Sequence, residues 1–244
     1  MDTQTQLERC GYAVHRGLLT PSEIQTLREG FDALAQQARG LSETAELDGA
    51  RFVVQQDPFR LHRVVWCGAA QPEIAALGSD PRFLAQATQA LGSDALVQII
   101  QQAHFKFPGD GVDFRWHQDA SNRRYGSELW TDVNGRGSFL QMVVAVDPMT
   151  AENGPIRVLP GTHKLGFVAD PKTGALPEGL VDESQAVDLL LEPGDAAFFG
   201  PFLIHGSAPN RGTQPRRLFL QGYTLAGANR RVYPGCGTGV RRRA

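Results

Sequence analysis

The sequence predicts a mainly β protein with flanking α-helices, in which an antiparallel two-sheet barrel or jelly roll carries helices on one outer face. Three observations carry that expectation. Two segments before residue 95 bear complete helix start signals. Seven short β-prone runs separated by Gly, Pro, Asn and Asp follow. The 244 residues suffice for one large domain that buries its own core.

In chain order, residues 2–10 read as a short polar helix and residues 12–18 as a short strand. Thr20-Pro21-Ser22-Glu23 then combines an N-cap threonine, a first-turn proline and a glutamate three residues after the cap. Ile24, Leu27, Phe31 and Leu34 recur at helical spacing, so this helix lays one face on a core and runs to Gly40. Residues 41–57 are polar and irregular, a loop or short strand, and residues 58–66 carry Arg60, His62 and Arg63. Asp80-Pro81 starts a second helix through Phe83, Leu84, Ala87 and Leu91 to Gly92. Residues 1–94 are therefore expected to be mostly helical and to pack on a jelly roll spanning 95–226, the whole chain 1–244 forming one domain. The expected strands are 95–107, 138–146, 155–159, 187–191, 196–199, 203–207 and 217–224. Two long inserts interrupt them, 120–137 and 161–186, and inserts of that length are usually functional. The Arg- and Gly-rich tail, 227–244, reads as frayed and solvated.

Composition narrows the function. With 41% hydrophobic and 20% charged residues and a net charge of −2, nothing draws the chain to nucleic acid or an anionic membrane, and a small molecule is the expected partner. Nothing specifies an oligomeric state. Cys10, Cys67 and Cys236 are too few and too dispersed for a disulfide framework or a cysteine-rich zinc site. A reducing compartment fits them. The N-terminus lacks a basic region followed by an apolar core, and no apolar run approaches the ~20 residues of a membrane span, so the expected location is cytoplasmic.

The chemistry is concentrated in FRWHQDAS, residues 114–121, where His117 and Asp119 stand two apart. In an extended strand they would share a face, supplying half of a 2-His-1-carboxylate site of the kind that holds non-haem iron with open positions. Roughly 0.6 such pairs are expected by chance in this composition, so the pair needs partners. His15 and His62 lie far from the strands, His104 has no neighbouring carboxylate and His163 sits in a Pro-Gly turn. His205 closes a buried strand beside a turn, 88 residues after His117, where a late strand of a barrel can return beside an early one. Arg216 and Arg217 then enter an apolar strand, which is costly unless a guanidinium meets an anion such as a carboxylate.

Taken together, WHQDAS, ENGPIRVLPGTHKLG from Glu152, PGDAAFF from Pro193 and HGSAPN…RR from His205 to Arg217 resemble the phytanoyl-CoA dioxygenase family of Fe(II)/2-oxoglutarate-dependent oxygenases. The resemblance covers most of the chain and implies a double-stranded β-helix. It implies Fe(II) on His117, Asp119 and His205. It implies 2-oxoglutarate as cosubstrate, with Arg216 on the distal carboxylate and Ser207 and Gln102 as further contacts, and O2 as oxidant. One-residue register decides between Arg216 and Arg217. Val143 stands where relatives often carry a tryptophan, and the segment 60–63 aligns loosely with a region that supplies a contact. Related halogenases replace the metal carboxylate by a small residue, so Asp119 points to hydroxylation, with 2-oxoglutarate giving succinate and CO2. Trp116, Tyr125 and Trp130 are candidates for the substrate pocket, and Arg115, Arg123 and Arg124 for an anionic substrate or for a solvated basic loop. The alternative is a cupin-like jelly roll that binds a metal or small molecule without oxygenase chemistry.

Overall fold

The structure, a computed structural model, describes residues 3–243; Asp2, where the first helix was expected to start, lies outside them. Helix α1 (Thr3–Cys10) leads into strand β1 (Tyr12–His15) and then α2 (Pro21–Ala38). The Thr20 hydroxyl accepts from the Glu23 backbone N–H at 3.3 Å while the Glu23 carboxylate accepts from the Thr20 N–H at 2.7 Å, the reciprocal cap its spacing predicts. Strands β2 (Ala45–Leu47), β3 (Ala50–Gln55) and β4 (Arg60–Val65) precede helices α3 (Pro72–Ala76) and α4 (Pro81–Leu91). Asp80 caps α4 through the Arg82 N–H at 2.8 Å, and Gly92 ends it at φ 76°. Arg82 then ties the starts of both long helices together, reaching Glu23 at 2.5 Å and Asp80 at 2.6 Å.

The remaining strands are β5 (Leu96–Lys106), β6 (Phe114–His117), β7 (Phe139–Ala145), β8 (Arg157–Val158), β9 (Val187–Asp188), β10 (Ala196–Phe199), β11 (His205–Ser207), β12 (Arg216–Leu225) and β13 (Val240–Arg242), with the four-residue helix α5 (Asp119–Asn122) after β6. A major sheet runs β1-β10-β7-β12-β5-β4-β3-β2, with β13 also paired on β5, and a minor sheet runs β6-β11-β8-β9. This is the mainly β jelly roll that the turn spacing predicts.

Strand periodicity divides the molecule into two filled spaces. Ala103, Phe105, Phe219, Met142, Val144 and Phe198 leave the major sheet toward α2 and α4, meeting Ile24, Leu27, Phe31 and Leu34 in the main core. The alternate positions Val143, Ala197, Phe199 and Leu218 point between the sheets, toward Ile156 and Val158 of the minor one. Both faces of the central strands are buried, so their register is strongly specified.

Two expectations are corrected here. Residues 41–66, expected as a loop or short strand followed by a basic segment within a mostly helical part, form β2 to β4 and extend the major sheet beyond β5. Phe52 and Val64 are fully buried at the positions facing the helices while Arg51 and Arg63 alternate with them; the pairing Arg63↔His104, Val64↔Ala103 supplies the edge that makes these polar segments strands. The tail is not frayed either. Val240↔Gln98 through Arg242↔Leu96 form a ladder, and the Arg242 guanidinium donates to the buried Gln98 Oε1 at 2.9 Å and 3.0 Å. Cys10, Cys67 and Cys236 are free thiols, and no described helix is long and apolar enough to cross a membrane.

Phe31 has no solvent exposure and meets Phe105 with ring centroids 5.2 Å apart, holding α2 onto β5. Phe31→Ala is expected to destabilise the fold by about 3–5 kcal/mol. Urea unfolding checks this, and a loss below about 1 kcal/mol would show that α2 contributes little.

Candidate active site

The register of β6 against β11 sets the site. His117 and His205 are direct cross-strand partners, and their ring centroids lie 4.3 Å apart. Such close strands require Gly206: a Cβ there would lie 2.8 Å from the Phe114 carbonyl oxygen. Asp119 arrives differently from the expectation. Strand β6 stops at His117, Gln118 is the N-cap of α5, and Asp119 is the first residue of that helix. A bend, and not strand alternation, turns the carboxylate back, leaving Asp119 Oδ1 3.7 Å from His117 Nε2. One ligand atom each from His117, Asp119 and His205 lies within 4.8 Å of the others.

The two imidazoles are oriented by backbone. His117 Nδ1 pairs with the Arg115 carbonyl at 2.8 Å and His205 Nδ1 with the Leu203 carbonyl at 3.0 Å. Each Nδ1 therefore carries the proton, and each Nε2 lone pair is directed to the shared point. Burial, together with the charge of His117, presses His205 down to about 4, so it is neutral at pH 7. Burial also opposes the imidazolium of His117, but the hydrogen bond and charge of Asp119 overcome it and raise its pKa. Asp119 is held below the usual carboxylate range: its burial is outweighed by the His117 hydrogen bond and by the charges of His205, His117 and Arg123. Two imidazole nitrogens and one carboxylate oxygen suit Fe(II), which would take the place of any proton that Asp119 holds on His117, and the donor set fits that ion.

Around this point lies a small cavity of about 130 Å³. Gln102 and His104 of β5, Val143 of β7, and Arg216, Leu218 and Leu220 of β12 line its major-sheet wall. The ladder pairs Leu218↔His104 and Leu220↔Gln102 put these residues on one face. Parity resolves the two arginines. Arg216 points into the cavity, 3% exposed, with no protein partner for its Nε, and burial lowers its pKa to about 10. Arg217 points the other way, where Asp147 accepts from Nε at 2.8 Å and Nη2 at 2.9 Å, and Asp32 of α2 accepts from Nη1 at 2.7 Å.

Ser207 and Gln102 both reach the cavity. Gln102 Oε1 accepts from His104 Nε2 at 2.8 Å, which leaves the Gln102 amide N–H groups to donate inward. Trp116, Tyr125 and Trp130 do not line the cavity. Trp116 alternates with His117 and so leaves the opposite face of β6, under the Arg157 guanidinium at 5.4 Å. Tyr125 packs edge-on to Phe167 and Phe202 and donates to Asp132 at 3.0 Å. Trp130 is buried against Phe139 with its Nε1–H on the Gly137 carbonyl at 3.2 Å. Tyr125 and Trp130 thus brace the insert after α5. Of the segment 60–63, Arg60 donates to the Asp110 carbonyl, His62 pairs with Gln55 at 3.2 Å, and Arg63 lies beside His104 in the ladder; none lines the cavity.

Four further residues support the site. His104, which the sequence places on a β5 position able to face the cavity, lines the wall, stacked on Phe114 at 5.8 Å, and burial presses it down to about 3. Arg123 lines the cavity between the rings of Phe139 and Tyr233, at 5.1 Å and 5.3 Å, so the C-terminal tail supports the wall. Gln118 is fully buried and donates to the carbonyls of Gly166 at 2.8 Å and Phe202 at 2.7 Å, while accepting from the N–H groups of Val168 at 2.9 Å and Ala169 at 3.2 Å. Lys106, buried at the end of β5, bonds to Ser207. Period-2 counting places His104 and Lys106 on the face of Gln102, and Arg123 stands in the basic cluster after Asp119; nothing local marks Gln118.

Comparison with known proteins fits this geometry. The profile of the phytanoyl-CoA dioxygenase (PhyH) family matches residues 7–218. The chain belongs to that family. Among its relatives, a methylphosphonate hydroxylase of Gimesia maris is 26% identical over 233 residues, 92% of this chain and 82% of that protein. An ectoine dioxygenase of Sphingopyxis alaskensis is 27% identical, covering 86% of this chain and 70% of the other. Among solved structures, EvdO2 from Micromonospora carbonacea var. aurantiaca complexed with 2-oxoglutarate superimposes with a TM-score of 0.71 at 25% identity, covering 95% of this chain and 93% of its own. EctD from S. alaskensis with bound Fe gives 0.74 at 22% identity over 98% and 86%, a likeness of fold. As a member of the PhyH family the chain is an Fe(II)/2-oxoglutarate-dependent dioxygenase, so the binding-only jelly roll is set aside.

The arginine pair yields a test of register. Arg217→Ala leaves Asp147 only Arg28, at 3.7 Å, as an ion-pair partner among the described residues and is expected to cost about 1–3 kcal/mol without weakening 2-oxoglutarate binding. Thermal melting alongside cosubstrate titration separates the two, and weakened cosubstrate binding with an unchanged melt would reverse the assignment.

Proposed function

We propose that the protein hydroxylates a small anionic molecule, with Fe(II) held by His117, Asp119 and His205 and 2-oxoglutarate anchored through Arg216, Ser207 and Gln102. The observation that carries this reading is that three convergent ligand atoms share one cavity with a buried guanidinium whose Nε has no protein partner. Bound together, Fe(II) and 2-oxoglutarate supply activation of O2, decarboxylation to succinate and CO2, and transfer of a hydroxyl group to the substrate. His117 and His205 bind through nitrogens already directed by their carbonyl partners, so little reorganisation accompanies loading. Asp119 would bring the negative charge as the carboxylate ligand, where related halogenases carry a small residue, which favours hydroxylation over halogenation. Arg216 offers its fork to a carboxylate, and Gln102 donates from the same wall. Val143, Ile156, Phe199 and Leu218 exclude water around the reacting centre.

The mouth of the site supports an anionic substrate. Arg115, Arg124 and Lys172 surround a vestibule that shares Phe114 and His117 with the cavity, and Asp113 is the one carboxylate lining it among the described residues. None of the three cations has a side-chain partner among the described residues, against a chain of net charge −2. The hydroxylation of methylphosphonate named for the Gimesia maris relative is chemistry on such an anion.

Anaerobic addition of Fe(II) and 2-oxoglutarate is expected to give the visible charge-transfer band of a chelated keto acid, and oxygen should then release succinate. Folded protein giving neither would defeat the reading. Asp119→Ala should lose iron, whereas Arg216→Ala should keep iron and weaken 2-oxoglutarate at least tenfold, the loss of about one charge-assisted bond. For the substrate, phosphonates and carboxylates should stimulate succinate release more than neutral compounds of equal size. Their KM should rise with salt and in the triple variant Arg115→Gln, Arg124→Gln, Lys172→Gln. A neutral compound acting best, with a salt-independent KM, would refute the anionic assignment, and chlorine in the product would refute hydroxylation.

A further inference from the structure

One turn after Asp119 the chain carries a buried cation. The Arg123 N–H donates to the Asp119 carbonyl at 3.0 Å, so the helical turn of α5 presents both side chains on one face, and both line the chamber. Arg123 is only 7% exposed. Its guanidinium lies between two rings, 5.1 Å from the Phe139 centroid and 5.3 Å from that of Tyr233, which leaves the edge that bears the N–H donors outside the stack. Nη1 donates to Tyr233 Oη at 3.2 Å, Nε is buried without a partner, and among the described residues no carboxylate forms an ion pair with Arg123.

The register sets this cation apart from Arg216. Arg216 opposes Lys106 where β12 begins, whereas Phe139, stacked on Arg123, opposes Thr224 near the other end of β12. Two guanidinium groups therefore enter one chamber from opposite ends of its major-sheet wall. The cosubstrate occupies one of them. In the proposed arrangement 2-oxoglutarate gives one carboxylate to Arg216 and its keto-acid end to the metal, so neither end needs Arg123. A buried guanidinium with unmet donors is costly until an anion meets it, and the reactant still to be placed is the substrate.

We propose that Arg123 determines substrate choice: it receives the carboxylate or phosphonate group of the substrate inside the chamber, with Phe139 and Tyr233 holding its guanidinium edge-on to that group. This rests on the reading of the substrate as an anion and of Arg216 as the cosubstrate grip. The cations of the vestibule draw the anion in, and Arg123 holds it one helical turn from Asp119. Two oxygens of a carboxylate or phosphonate match the fork, whereas a neutral amide of the same size leaves the charge unmet.

The test is anaerobic calorimetric titration of propylphosphonate, butyrate and the neutral butyramide into protein loaded with Fe(II) and 2-oxoglutarate, for the wild type and Arg123→Gln, each melted to check folding. With 2-oxoglutarate already on Arg216, anion binding reports the remaining site. Arg123→Gln is expected to keep the charge-transfer band and the 2-oxoglutarate affinity of the wild type, and to weaken the better-bound anion about tenfold to a hundredfold. Butyramide should change by less than about threefold, so the preference for anion over amide collapses, which a purely structural arginine would not produce. The loss should persist at high salt, because a buried pair is little screened, unlike the contribution of the vestibule cations. Anion affinity within about threefold of the wild type would make Arg123 a brace for the C-terminal tail and overturn the proposal. Weakened 2-oxoglutarate with unchanged anion affinity would equally overturn it, giving the guanidinium to the cosubstrate. If Arg123→Gln does not fold, Arg123→Met is read in the same way. A wild type that prefers the amide, or binds neither anion, defeats the anionic reading itself, an outcome distinct from a wild type and a variant that bind the anions equally.

Discussion

The cross-strand pairing of His117 with His205 is the contact on which the rest of the site depends. It closes the minor sheet over the major one, fixes where two imidazole nitrogens meet, and makes the space between the sheets a reaction chamber. The same alternation that builds this chamber fills the helix-facing core. A one-residue slip of β12 would send Arg216 among Phe31 and Phe105 and bring Arg217 away from Asp147 and Asp32. Two faces would fail at once. Register here is both a folding constraint and a catalytic one.

Burial does most of the electrostatic tuning. The protein keeps His205 neutral by desolvation, keeps Asp119 charged with the help of its cationic surroundings, and buries Arg216 on the cavity wall at a cost in its pKa. The result is a chamber with one fixed negative charge at the metal point and a surplus of positive charge on the wall that bears Arg216. That division suits a dianionic chelator. One end can meet a cation of the metal type while the other meets guanidinium and hydroxyl.

Much of this was legible in the sequence where the signal is local. The caps of α2 and α4, the apolar runs that became β5, β7, β10 and β12, and the His-x-Asp pair with its late histidine all follow from neighbouring residue types. What was not legible depends on distant partners. Strands β2 to β4 look polar because one face is solvated, and only the edge of β5 makes them strands. The tail reads as disordered because its arginines look unemployed, yet Gln98 is buried and needs Arg242. Trp116 lay on the wrong face of its strand for the cavity, a parity argument available in principle from His117 once β6 was known. Asp119 reached the site by a bend that alternation does not describe.

Gln118 stands between two ligand positions and spends all four of its hydrogen bonds on Phe202 and on Gly166, Val168 and Ala169 at the front of the second insert. The insert is thereby divided into a hub and a free span. Residues 166–169 share a mechanical frame with the metal point, so replacing them would strand a buried amide beside His117 and Asp119. Residues 170–186, which reach the vestibule through Lys172 and Thr173, carry no such tie to Gln118. The fold thus offers a graft window: residues 170–182 can be rewritten while the candidate metal site keeps its frame, with Glu183 beyond them tied to Arg157 at 2.6 Å.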